Sequence, residues 1–366
     1  MACRLFFLYF WLVKKDKNKA FFWLAGSTSV FIFYLFWRVL VAKVSLIGHS
    51  SIIPIASASF KERFLTVPFE FFSYLRLIFF PKDLFIAQHQ VIKTVQDIRF
   101  WGTLPGVFLF FWGLFFLSRV IRRGEGGFFF FWFLISLGLV LNVFPLDMTL
   151  AERWLYFPLI GFLGLAGVFL EKFSPKKNLI LVFVVVLFSV RTFLRTFDWR
   201  NGLSLFDHDI KLNSQAFDLQ NNFGTELFRA GKIEEAKPHF EKSIELAPSW
   251  WTSYNNLGVV YQRKGDFGKA KELYQKAIDN GDYYLAYENL AGLKLQTEKP
   301  DKTIEFVSEA LKKLPLNNNL RTILVIAYTR QGDYKKALLE AKRLLQLFPT
   351  KENRLLLEAV VRKEKI

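Results

Sequence analysis

The chain has 366 residues, 52% hydrophobic and 18% aromatic, with a formal charge of +17. A soluble domain of average make-up carries less apolar surface, so part of this chain must sit in an apolar solvent. The single cysteine, Cys3, excludes an internal disulfide framework, and four scattered histidines (His49, His89, His208, His239) lack metal-ligand spacing, so no metal is expected.

Charge divides the chain. Residues 1–198 hold 22 Lys/Arg against 10 Asp/Glu, which supplies +12 of the +17 and leaves the polar, Lys- and Glu-rich remainder mildly basic. Most of the excess lies at the ends of apolar stretches, where membrane anchoring accounts for it. Nucleic acid is not expected as a partner, since that would call for a basic face on a soluble module.

A crossing helix needs about 20 mostly apolar residues. In chain order the predicted crossings lie near 2–13, 20–42, 101–121, 127–145, 155–170 and 178–197. The first is short. It reads as a signal peptide or as a truncated membrane helix, and the adjoining Lys14-Lys15-Asp16-Lys17 run favours the helix, because no small-residue cleavage site is present.

Residues 64–80 are apolar but carry Pro68, Glu70 and Arg76. Orientation decides their reading. The clusters Lys14/Lys15/Lys17/Lys19, Arg119/Arg122/Arg123 and Lys172/Lys176/Lys177 all belong on the cytoplasmic side, so an even number of crossings separates the first two. Residues 64–80 are therefore expected as an interfacial helix inside an external loop, 43–100. By alternation the last crossing delivers residues 199–366 to the external side, the periplasm for a bacterial inner membrane.

Beyond a linker at 199–216 the sequence repeats. Tyr254-x-x-Leu257-Gly258-x-x-Tyr261 leads to Gly265-Asp266, then Ala270, Tyr274 and Ala277, and the same frame fits 217–250, 284–317 and 318–350. The pattern resembles the tetratricopeptide (TPR) repeat, a helix–turn–helix unit of about 34 residues. Residues 351–366 read as a capping helix. The expected fold is all-α, polytopic transmembrane helices followed by a TPR α-solenoid.

Such solenoids offer a groove to extended peptides or helices, which makes proteins or peptides the expected partners, beside membrane lipid. In this register the groove candidates are Asn221, Thr225 and Arg229, then Asn255, Val259 and Arg263, then Ile326 and Arg330. They read as a ladder of amide and guanidinium donors, or as a solvated face with local capping roles.

Composition and spacing give no catalytic constellation. However, the string Leu150-Ala151-Glu152-Arg153-Trp154-Leu155-Tyr156-Phe157-Pro158-Leu159-Ile160-Gly161-Phe162 resembles the AER-x-LY-x-P-x-x-G segment of TPR-carrying GT-C-type glycosyltransferases, the TMTC-like protein O-mannosyltransferases and their bacterial relatives. Tyr34–Arg38, Arg63–Thr66 with Phe80-Pro81, and Arg195-x-x-x-Trp199-x-Asn201 resemble further stretches of that family in order. The resemblance implies a polyprenyl-phosphate sugar donor, with Arg153 pairing the phosphate and Glu152 orienting Arg153 or meeting acceptor. Tyr156 and Arg38 are further candidates. Glu152 and Arg153 equally suit an ordinary interfacial pair among belt aromatics. In that family, membrane helices and an acidic catalytic loop precede the matched region, so no catalytic residue is carried over. The chain reads either as the C-terminal part of such a transferase or as a non-enzymatic TPR scaffold at the membrane.

Overall fold

A computed structural model describes residues 7–37, 40, 52–84, 86, 88–116, 124–146, 148–173, 177–281 and 283–364, without the side chains of 114–116, 172–173 and 177. The chain divides into two compact units, residues 1–216 and 217–366.

In the first unit a π-helical turn, Tyr9–Val13, leads into α1, Lys17–Phe36. Asp16 caps α1 by accepting from the Lys19 amide at 3.0 Å. Only Ala20 of α1 is buried, and Phe21, Phe22 and Ile32 expose most of their surface. A helix that is apolar on every side beyond its first turn, and buries only Ala20, is suited to lipid.

α2, Phe60–Phe79, starts at a capping box in which Ser59 and Glu62 exchange hydrogen bonds. One face, including Leu65, Phe71, Tyr74, Leu75 and Ile78, is buried. It packs on α3 (Ile98–Phe116), on Phe133 and Leu137 of α4 (Glu125–Gly138), and on Leu141 and Leu150. The segment expected to lie on a membrane surface is thus the central helix of this unit's core.

The crossing expected at 127–145 falls on α4 and the turn after it. It stops at Gly138, and its 14 residues reach about 21 Å, short of a hydrocarbon core of about 30 Å. The chain turns back because Asn142 adopts a left-handed φ of 47°, a conformation asparagine tolerates better than most residues.

A 3-10 turn, Glu152–Leu155, opens α5, Tyr156–Phe173. α5 lies against α4 so closely that a Cβ added at Gly161 would come within 2.5 Å of the Phe133 backbone nitrogen. α6, Lys177–Asp198, exposes Leu179, Phe183, Val186 and Phe193. Among the described residues, three helices are long and apolar enough to cross a membrane: Lys17–Phe36, Glu152–Glu171 and Asn178–Asp198.

The linker expected at 199–216 instead contains α7, Gly202–Leu212, capped by Asn201, whose Oδ1 accepts from the Ser204 amide at 2.8 Å. Its Asp209 is fully buried and accepts a hydrogen bond from Arg195 of α6, so an ion pair organises what composition alone presents as a polar connection.

The second unit is a run of antiparallel helix pairs: α8 (Phe217–Arg229) with α9 (Ile233–Leu246), α10 (Trp251–Arg263) with α11 (Phe267–Asn280), α12 (Tyr284–Thr297) with α13 (Pro300–Lys313), and α14 (Asn318–Gln331) with α15 (Tyr334–Leu347). α16, Lys351–Val361, closes the stack against α15. Gly231, Gly265 and Gly332 make the turn inside three pairs with φ of 79°, 79° and 86°, where a side chain would be strained. The third pair turns without glycine, at Glu298-Lys299, with Pro300 as the first helical residue. Within a pair, Gly258 admits the Tyr274 ring, which a Cβ would approach to 2.7 Å. Between pairs, apolar clusters such as Tyr287, Ala291, Val307, Leu320 and Leu324 bury the faces that a single pair would leave wet.

Candidate functional site

The buried face of α2 carries three polar groups at i, i+4 and i+8: Thr66, Glu70 and Tyr74, each with no exposure. Each pins a separate piece of chain. Thr66 Oγ1 accepts from the Ile92 amide at 3.0 Å. Glu70 Oε1 accepts from Asn142 Nδ2 at 2.9 Å, and the same nitrogen donates to the Thr149 carbonyl at 2.9 Å. Asn142 Oδ1 accepts from the Leu146 amide, and the Tyr74 hydroxyl receives the Ala151 amide at 3.4 Å. The Thr149 amide donates to the Gln88 carbonyl at 2.9 Å, pairing this strand-like stretch with residues around Gln88.

These hydrogen bonds fix Leu150 and Ala151 in the core and set the adjoining turn at its edge. Glu152 is half-buried, while Arg153 and Tyr156 are exposed, Tyr156 by 74%. The Arg153 guanidinium lies 5.7 Å from the Trp154 ring centre. Glu152, Arg153 and Tyr156 thus lie at the start of α5, on a backbone anchored from behind. Arg38 lies outside the described residues.

Electrostatically the polar stripe is unusual. Burial pushes the Glu70 carboxyl up to about 8, against a smaller opposing effect of the Asn142 hydrogen bond. Glu70 Oε2 is buried without a hydrogen-bond partner. Burial likewise raises Tyr74 above the usual phenol range. A carboxyl held protonated near neutral pH keeps the cluster uncharged, which suits its dry surroundings.

Sequence reasoning does not single out Glu70, Tyr74 and Asn142 as a site. The available signal is a Glu in an apolar helix at helical spacing from Thr66 and Tyr74; its partner Asn142, 72 residues away, gives none.

In the second unit the expected groove residues divide by burial. Asn221 and Asn255 are 3% and 4% exposed. Asn221 Oδ1 accepts from Asn256 Nδ2, and Asn255 Oδ1 from Asn289 Nδ2, both at 2.9 Å. Through their oxygens these amides tie one repeat to the next, while their nitrogens donate to Asn222 and Asn256 within the repeat, as a buried amide must be satisfied internally. Thr225 bonds its own helix at the Asn221 carbonyl, and Val259 and Ile326 are half-buried. Arg229, Arg263 and Arg330 are exposed; Arg229 pairs with Glu226 at 2.7 Å and Arg330 donates to the Leu295 carbonyl at 2.9 Å.

Residues 215–281 match the tetratricopeptide repeat family model. The second unit is a TPR solenoid. Over its TPR region the chain is similar to two protein O-mannosyl-transferases, Tmtc3 of Drosophila melanogaster (30% identical over 111 residues, 28% of this chain) and TMTC3 of Homo sapiens (32% over 111 residues, 29% of this chain). The match spans only 12% of the length of either relative. Among solved structures, YrrB, described as a TPR protein with an unusual peptide-binding site, is 21% identical with a TM-score of 0.36, covering 43% of this chain and 89% of YrrB. MamA is 19% identical with a TM-score of 0.37, covering 43% of this chain and 87% of MamA.

Proposed function

We propose that this chain takes part in sugar transfer from a polyprenyl-phosphate donor to proteins, its TPR unit holding the acceptor or a partner on the external face of a bacterial inner membrane. The observation that carries the reading is a conjunction in one chain. A TPR region similar to that of protein O-mannosyl-transferases accompanies the AER segment, which a buried polar stripe presents at the start of a helix able to span a membrane.

In this reading Arg153 meets the donor phosphate, a charge-assisted contact that its exposed position permits. Glu152 orients Arg153 or touches the acceptor, and Tyr156 flanks the lipid. The groove contribution falls to Arg229, Arg263 and Arg330, since Asn221 and Asn255 are buried. A photoactivatable polyprenyl-phosphate probe tests the donor contact. Crosslinks are expected within residues 150–162 and should be lost in Arg153→Ala; crosslinks spread over α1 and α6, and unchanged in the variant, would refute the assignment.

A second reading has its own support. Similarity to the transferases is confined to the TPR region, which fits a scaffold that gathers proteins at the membrane without transferring sugar. Capture of peptides with no transfer, whatever the state of Arg153, would favour it.

A further inference from the structure

The second half of the chain is not evenly charged. Residues 199–333 hold 18 Lys/Arg and 18 Asp/Glu, whereas residues 334–366 hold 9 against 4. The whole positive surplus of the second half therefore sits on α15, α16 and the residues joined to them.

Ion pairing does not absorb it. In α9, α11 and α13 lysines meet carboxylates on their own helix: Lys242 with Glu245, Lys276 with Glu272 and Lys312 with Glu309. At the C-terminal end the carboxylates are engaged elsewhere. Glu340 takes the buried guanidinium of Arg321 at 2.5 Å, and Arg362 lies 4.0 Å from Glu358 and 3.6 Å from Glu364. Lys342, Arg343, Lys351 and Arg354 are exposed and make no ion pair among the described residues. Glu352 is likewise unpaired, so four free cations stand against one free carboxylate.

The same end exposes aliphatic surface. A terminal repeat usually turns a polar face to water, yet α16 exposes Leu355 by 54% and α15 exposes Leu339 by 66%. On α15, Lys335, Leu339, Lys342 and Gln346 follow one another at three or four residues and so share a side. Lys351, Leu355, Glu358 and Arg362 do the same on α16. Both sides lie away from the contact between the two helices, which is made by Ala337, Ala341 and Val360.

We infer that this end of the solenoid docks on the anionic surface of a bilayer, Lys342, Arg343, Lys351 and Arg354 meeting lipid phosphates while Leu339 and Leu355 enter the headgroup layer. Helices with a basic and aliphatic side lie in that layer, held by apolar burial and by attraction to anionic lipid. Charge complementarity selects an anionic surface, and helices able to span a membrane keep one at high effective concentration for the same chain. The inference does not rest on sugar transfer, since a scaffold would use the contact equally.

The test uses the full chain as Cys3→Ser/Gln346→Cys, carrying a fluorophore at position 346, in nanodiscs of phosphatidylcholine with or without phosphatidylglycerol. Both contain lipid spin-labelled close to the headgroup, which quenches a fluorophore in contact with it. The control carries the fluorophore on α13, as Cys3→Ser/Glu305→Cys. Quenching is expected at position 346 with phosphatidylglycerol present, and not at position 305. Lys342→Gln/Arg343→Gln/Lys351→Gln should lower the ratio of docked to free solenoid about a hundredfold, three basic groups at about fivefold each. These side chains are exposed and unpaired, so the fold does not depend on them. Absence of quenching at position 346, equal quenching at position 305 or in phosphatidylcholine alone, or undiminished quenching in the triple variant would overturn the inference. So would a fluorophore shielded from water but out of reach of the spin label, which would make the occupant an acidic protein.

Discussion

At Glu70 the physics of one carboxyl reaches far along the chain. Its proton affinity is raised from an ordinary value near 4.5 to about 8 by burial. The folded state therefore binds a proton that the unfolded chain has already released across that window, and stability falls as pH rises from about 4.5 to about 8. Glu70→Gln imitates the protonated acid and keeps an acceptor for Asn142. We expect its thermal midpoint to be flat over this range and to exceed wild type at pH 8 but not at pH 5, as read by thermal unfolding in detergent. A wild-type midpoint that rises with pH would contradict the assignment. Burial matters as much for Asn255, whose Oδ1 receives the Asn289 amide. Asn255→Leu removes one partner and leaves the other wanting, at a cost of about 1–3 kcal/mol, measurable as a lower urea midpoint for the TPR unit. An unchanged midpoint would return Asn255 to the surface ladder.

At the scale of elements, legibility in the sequence depends on whether the signal is local. The helix pairs of the TPR unit announce themselves through recurring Gly, Ala and aromatic positions, because each pair solves the same packing problem. Even there the facing of Asn221 and Asn255 differs from the expected one, since a shift of one residue turns a side chain by about 100° around a helix. The end of α4 is hidden for a different reason. Hydropathy runs on from Leu139 to Phe144, while the turn is made by the left-handed Asn142, whose amide is held by Glu70 and the Thr149 carbonyl. α7 is likewise obscured, because its anchor, Arg195 to Asp209, joins residues that composition assigns to different regions. Close packing gives a sharp test at this scale. Gly161→Ala would set a methyl 2.5 Å from the Phe133 backbone nitrogen, where no flexible side chain can yield. Small residues let membrane helices approach one another, so we expect this variant to separate α4 from α5, seen as loss of monodisperse protein on size exclusion. Gly167→Ala, whose Cβ meets nothing, should behave as wild type.

At the scale of the whole molecule, both halves are legible in the sequence, an apolar region with basic ends and a repeat with a period of 33 to 34 residues. The device that gives the AER segment its place is not. That device is a polar stripe on α2 which gathers residues from around 88–92 and 142–151 and leaves Arg153 exposed at the head of a helix able to span a membrane. The central claim is that this arrangement serves sugar transfer to proteins. Its most direct test incubates membranes containing the full chain with labelled polyprenyl-phosphate mannose and a peptide mixture. The account predicts label on peptide, abolished in Arg153→Ala and much reduced in Arg229→Ala/Arg263→Ala/Arg330→Ala. Peptides captured by the TPR unit without any label, in wild type and variants alike, would contradict it.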